Sequence, residues 1–312
     1  MTAITQTLSS ALLQFIWQGT LVGCMLWVTL FLLRNRSANA RYLASCLALV
    51  ILAAIPVVTT SEALTLEVSL VESVAARASK GWVAGSTVTA SSTSWFVWAQ
   101  RWALTAWSIG VLLFSLRIVW SCRYIYALKR RGELAEQAVV AMVENLARRM
   151  GILRPVRVLT SSVADGPSVV GWLRPIVLLP ASSILGLNPE QLETVIAHEI
   201  AHIRRHDYLV GAFQVVVETL LFYHPAVWWT SSRIPHEREF CCDDLAVRAC
   251  GDAMCYARAL TTLEKLRVAK PSLVLGARDG GLLYRIQRVI GDPTMTTDHP
   301  SYQAFSYSCL LL

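Results

Sequence analysis

The chain has 312 residues, of which 54% are hydrophobic and only 16% charged, with a mean hydropathy of +0.48. A soluble domain usually carries about 25% charged residues, so the composition argues against an ordinary soluble protein and for a membrane protein. The formal charge of +7 comes with no basic-aromatic or helix-turn-helix pattern, so direct nucleic-acid binding is not expected; Lys and Arg gather in the cytoplasmic loops of membrane proteins instead.

Leu8–Leu33 is an uninterrupted uncharged run, longer than the ~20 residues a spanning helix needs. No basic residue precedes it and no small-residue cleavage site follows, so it reads as a membrane helix rather than a signal peptide. Tyr42–Thr59 is a second run and Trp95–Trp120 a third. Arg101 and Arg117 lie toward the ends of the third, where long side chains can reach the interface. Trp95, Trp98, Trp102 and Trp120 read as interfacial anchors.

Charge predicts the orientation. Arg34, Arg36 and Arg41 lie between the first two runs, and Arg123, Lys129, Arg130 and Arg131 follow the third. Both segments read as cytoplasmic. The loop Ser61–Ser94 carries Glu62, Glu67 and Glu72 against Arg77 and Lys80 and reads as external, with the N-terminus outside. The membrane region is therefore 1–120, and 121–295 reads as a cytoplasmic domain. None of the eight cysteines lies in the external loop, which fits reduced thiols.

The cytoplasmic part has globular texture. Glu133–Met150 carries apolar residues at helical spacing, with Gly151 as a stop. Pro155–Pro180 reads as three short strands of a small antiparallel sheet. "NPEQLETVIAHEIAHIRRHD" then opens a helix, with Asn188 as N-cap, Pro189 at its first position and Gln191 completing a capping box. Gly211–Trp229 is apolar enough to resemble another span. The Ser301–Leu312 stretch, within 296–312, reads as the start of a fourth membrane helix.

His198 and His202 are four residues apart on that helix, so both imidazoles project from one face. They can bind one zinc ion as neutral ligands, with Glu199 placed to take a proton from a water activated there. Two histidines leave the shell open, and a third ligand must lie downstream. His206, Asp207, Glu218, His224, His236, Glu237 and Glu239 are all present. "PHEREFCCDDLAV" offers the best segment, because on a helix Glu239 and Asp243 share a face. Glu239 can ligate zinc, and Asp243 can accept a hydrogen bond from a ligating histidine. Cys241 and Cys242 are candidate soft ligands, but read better as buried structural residues, since two His plus Glu needs no thiolate. A single crossing by Gly211–Trp229 would put His202 and Glu239 about 30 Å apart. That segment is therefore expected to be buried or re-entrant, turning near His224-Pro225.

"VVGWLRPIVLLP", "HEIAHIRRHD" and "REFCCDDLAV" together resemble the BlaR/MecR-type antirepressor membrane metallopeptidases, from the first membrane run to about Val289. The Glu239-x-x-x-Asp243 spacing is also similar to that of CAAX-prenyl endopeptidases and HtpX-type gluzincin proteases. The resemblance implies an α-helical membrane protein of the bacterial inner membrane with a cytoplasmic α+β zinc-protease domain. It implies His198, His202 and Glu239 as zinc ligands, Glu199 as general base and Asp243 behind the ligands. "LLYRIQRVI" resembles a late family segment, which implies a substrate or oxyanion contact for Arg285. The implied substrate is a cytoplasmic protein, a transcriptional repressor or the chain itself. The sequence has no Ser-x-x-Lys or Lys-Thr-Gly, so β-lactam sensing is not expected. The rival reading is a signalling module in which zinc only staples the cytoplasmic domain; a channel would need charge pairs or repeats that are not seen.

Overall fold

The computed structural model describes residues 3–78, 94–162, 164, 166–171, 173–268 and 279–291. The anticipated start of a fourth helix (296–312) and the second half of the external loop (79–93) lie outside them. Three long helices come first: α1 (Ala3–Leu32), α2 (Ala38–Ala78) and α3 (Ser94–Arg131). Each contains a stretch long and apolar enough to cross a membrane: Thr7–Leu32, Ala38–Leu66 and Trp102–Arg131, of 26, 29 and 30 residues. At 1.5 Å per residue these are about 39–45 Å long, more than the ~30 Å hydrocarbon core.

Two helices continue well past the apolar runs that announce them. The stretch from Ser61 to Ala78 is helical, although its acids mark it as a polar loop. It contains no Gly or Pro and is rich in Ala, Leu and Glu, so nothing stops the helix when hydropathy falls. Likewise α3 runs through "RYIYALKRR" until Gly132.

The chain divides into two compact units. The first comprises Met1–Leu32, Leu43–Arg117 and Gln214–Ser232; the second comprises Leu33–Tyr42, Ile118–Phe213 and Arg233–Leu312.

In the first unit the chain reverses between α7 (Asp207–Leu220) and α8 (Pro225–Cys250). Gln214 Nε2 donates to the Ser231 carbonyl at 3.0 Å and to its hydroxyl at 2.9 Å, and the Ser231 hydroxyl donates to Glu218. Pro235 carries no N–H, so the Ser231 carbonyl lacks its helical donor, and Gln214 satisfies it. The His224 ring lies against α1. Its Nδ1 accepts from the Ala226 N–H at 3.1 Å and its Nε2 donates to the Ile16 carbonyl at 2.9 Å. A Cβ on Gly19 would come within 2.7 Å of that ring, so only glycine allows the approach.

The second unit carries a four-stranded sheet of β1 (Glu133–Leu134), β2 (Arg157–Ser161), β3 (Ser168–Val170) and β4 (Ile176–Pro180), in the order β1-β2-β4-β3. It is mixed, not antiparallel as the sequence suggested. The β3–β4 hairpin is antiparallel, but β4 inserts beside β2 in parallel, with Val158 opposite Val177. Turn residues mark where a chain reverses but not which strand lands beside which. The helix expected from Glu133 begins instead at Gln137, as α4 (Gln137–Arg149). Glu133 and Leu134 are drawn off to pair with Thr160 and Leu159.

After β4 come α5 (Ala181–Gly186), α6 (Pro189–Arg205), α7 and α8, then α9 (Ala253–Val268) and α10 (Asp279–Ile290). The core joins Val143 and Leu146 of α4, Val177 and Leu179 of β4, Ile196 and Ile200 of α6, and Tyr256 and Leu260 of α9. Burying Ile196 and Ile200, both fully covered, contributes about 1.5–3 kcal/mol each relative to exposure. These contacts, more than propensity, hold α6 rigid.

The capping box on α6 is formed. The Gln191 N–H donates to Asn188 Oδ1 at 2.7 Å, and the Asn188 N–H donates to Gln191 Oε1 at 3.2 Å. Asn188→Ala is expected to cost about 1 kcal/mol, read as a lower thermal midpoint in detergent. An unchanged midpoint would show that the cap carries no weight.

Candidate metal centre

His198 and His202 lie one turn apart on α6, with Nε2 atoms 3.2 Å apart. From α8, Glu239 places Oε2 at 3.4 Å from His198 Nε2 and Oε1 at 3.8 Å from His202 Nε2. Ligands on a tetrahedral zinc with bonds of about 2.0–2.1 Å stand about 3.3 Å apart. The three side chains therefore fit one small divalent ion, and their donor atoms all lie within 4.8 Å of one another.

A carboxylate stands behind each histidine. Asp243, fully buried, has Oδ1 3.1 Å from His198 Nδ1. Asp207 has Oδ2 2.8 Å from His202 Nδ1. With both Nδ1 atoms set against carboxylates, both Nε2 atoms face the ligand position. Asp207 reaches His202 because α6 ends at His206 in the left-handed conformation (φ 58°, ψ 34°), which turns the chain sharply into α7.

Two further residues complete the cluster. The Tyr256 hydroxyl donates to Asp243 Oδ1 at 2.6 Å and lies 2.9 Å from His198 Nδ1. Arg285 donates to both Asp243 oxygens at 2.9 and 2.6 Å and to the Tyr256 oxygen at 3.3 Å, while its Nη1 is 3.2 Å from Glu239 Oε2. Its guanidinium is thus turned toward carboxylates. Sequence reasoning missed Tyr256, whose spacing with Ala259, Leu260 and Leu263 marks only a core-facing stripe.

Four of the other candidates for third ligand are engaged otherwise. Glu218 and His224 are held within the first unit, Glu237 pairs with Arg41, and His206 caps α6. His202, Asp207 and Cys242 form a second close group. Burial and the neighbouring Asp207 push the Cys242 thiol up, and Asp207 is already engaged with His202 Nδ1.

The electrostatics follow from burial and charge. Burial opposes charge on His198, but Asp243 and Glu239 outweigh it and raise its pKa to about 10. Burial opposes ionisation of Glu239, but His198, His202 and Arg285 outweigh it and lower its pKa to about 2. The Glu199 carboxyl is pushed up by burial, against the pull of His202 and His198. A metal must therefore displace the His198 proton throughout the neutral range, whereas Glu239 is already ionised there. Apparent metal affinity is expected to rise about tenfold per pH unit between pH 6 and 8, as one proton leaves per ion bound. Chelator competition at pH 6, 7 and 8 measures that slope, and a flat profile would show that His198 loses no proton on binding.

The family model described as "BlaR1 peptidase M56" matches residues 10–283. The chain is 23% identical to "Regulatory protein BlaR1" of Bacillus licheniformis over 138 residues, which cover 44% of this chain and 23% of that protein. It is 22% identical to "Methicillin resistance mecR1 protein" of Staphylococcus aureus (strain Mu50 / ATCC 700699) over 140 residues, covering 45% and 24%. It is 30% identical to "Protease HtpX homolog" of Thermoplasma volcanium over 132 residues, covering 41% and 40%. The aligned part thus spans about a quarter of the length of the first two relatives.

Proposed function

Because the chain belongs to the BlaR1 peptidase M56 family, we propose that it is a membrane-bound zinc endopeptidase. It would cut a cytoplasmic protein, such as a transcriptional repressor or the chain itself, in signal transduction. The observation that carries this reading is the convergence of His198, His202 and Glu239 at tetrahedral spacing beside the buried carboxyl of Glu199. The proposed orientation puts the N-terminus outside and the metal centre on the cytoplasmic side of a bacterial inner membrane, from the arginines and lysine that flank the spans.

Bound zinc would polarise the scissile carbonyl and lower the pKa of water at the site toward 7. Glu199 accepts the proton of the attacking water and passes it to the departing nitrogen; its raised pKa suits both steps. Asp243 and Asp207, at the two Nδ1 atoms, would keep both Nε2 atoms turned to the metal position. Arg285 balances the charge of Glu239 and Asp243. An extended substrate segment has a place to pair at β3, an edge strand that packs against α6.

The test is hydrolysis of a diverse peptide library by the detergent-purified chain, read by mass spectrometry. Chelation is expected to abolish cleavage and stoichiometric zinc to restore it. Cleavage that survives chelation would overturn the metal reading. Zinc binding without cleavage would favour a zinc-stapled signalling module.

A further inference from the structure

The turn Leu33–Tyr42, between α1 and α2, belongs to the same compact unit as the metal centre. Arg41 is 7% exposed. Its Nε donates to Glu237 Oε1 at 2.9 Å, and its Nη1 donates to the carbonyls of Arg36 at 2.7 Å and Arg34 at 3.4 Å. Glu237 is equally buried and stands two residues before Glu239 on α8. Two residues on a helix are about 200° apart, so Glu237 and Glu239 face opposite ways. Arg41 therefore holds α8 from the side away from the metal position.

The neighbouring side chain serves the other ligand helix. The Tyr42 hydroxyl lies 3.5 Å from Asp207 Oδ1, and the Arg205 guanidinium stacks over the Tyr42 ring at 4.5 Å. Arg205 also reaches Asn39 Oδ1 at 3.3 Å and Asp207 Oδ1 at 3.5 Å. The other oxygen of Asp207 holds His202. One route thus runs from the turn through Glu237 to α8 and Glu239, and a second through Asp207 to His202.

We propose that this turn is part of the metal centre, with Arg41 and Tyr42 as positioning residues that set where Glu239 and His202 hold their ligand atoms. The inference rests on the metallopeptidase reading above. A productive site tolerates misplacement of only about 0.5 Å. Removing Arg41 leaves the Glu237 charge buried and unpaired, which a rotation of α8 about its axis relieves by carrying Glu237 toward water. The same rotation takes Glu239 off the ligand position.

The test measures zinc affinity of the 312-residue chain in detergent by competition with a chromophoric chelator, alongside peptide turnover. Arg41→Ala is expected to weaken zinc binding about 10–100-fold, with cleavage recovering at excess zinc and Arg41→Lys restoring part of the affinity. Tyr42→Phe, a small change that keeps the ring under Arg205, is expected to weaken binding several-fold. Arg149→Ala serves as control; it breaks an exposed ion pair with Glu193 in the same unit and should leave affinity unchanged. If Arg41→Ala does not fold, Arg41→Lys and Tyr42→Phe decide the matter. Wild-type zinc affinity in the folded variants at both positions would overturn the proposal even if thermal stability fell. Failure of the parent chain to bind zinc at all would instead overturn the metallopeptidase reading on which it rests.

Discussion

Glu199→Gln is expected to lower peptide turnover about 10²–10⁴-fold while zinc stays bound and substrate affinity changes little. The amide has nearly the shape of the acid, so the packing around this 7% exposed side chain survives. What disappears is a group able to take a proton and return it. Glu199 stands outside the three-atom set of His198, His202 and Glu239, so its loss leaves metal binding intact. Burial has already moved its carboxyl above the ordinary range, toward the pKa of water activated at the site. Single-turnover kinetics beside a zinc assay separate the two effects. Undiminished turnover would place the base elsewhere, and loss of zinc would mean that the substitution damaged the site rather than the chemistry.

Asp243→Ala is expected to carry the largest stability cost, about 3–5 kcal/mol, together with a 10–100-fold loss of metal affinity. Asp243 is completely buried and accepts from both Arg285 nitrogens and from Tyr256. Removing it leaves the Arg285 charge with Glu239 as its nearest carboxylate. His198 also loses the oxygen that orients its Nδ1. Asp243→Asn keeps one acceptor and should fall between wild type and Ala in both measures. Thermal unfolding of the metal-free chain reports the stability cost, and chelator competition reports the affinity. A midpoint close to wild type in Asp243→Ala would show that the arginine finds water or another partner, and would remove Asp243 from the structural core of the site.

The local parts of the site were legible in the sequence because they are written in helical periodicity. Four-residue spacing puts His198 and His202 on one face, and the same spacing pairs Glu239 with Asp243 on another helix. The Asn188–Gln191 cap follows from residues three apart, and Gly151 marks where α4 ends. The spans of α1, α2 and α3 follow from apolar runs, although the helix ends do not, because a helix without Gly or Pro continues after its hydropathy falls.

What only the tertiary structure decided are the partnerships between distant residues. Tyr256 meets His198 across 58 positions and Arg41 meets Glu237 across 196. No local pattern encodes either, since an aromatic at helical spacing reads as core and an arginine at a membrane edge reads as an orientation signal. Asp207 was visible as a metal-binding type of residue. Whether it ligates or stands behind His202 depends on the left-handed turn at His206, which the sequence does not announce. The sheet order has the same cause, because the insertion of β4 between β2 and β3 is chosen by which faces bury together. Periodicity is a property of neighbours along the chain, whereas the shell around the ligands is set by packing among helices that the sequence keeps apart.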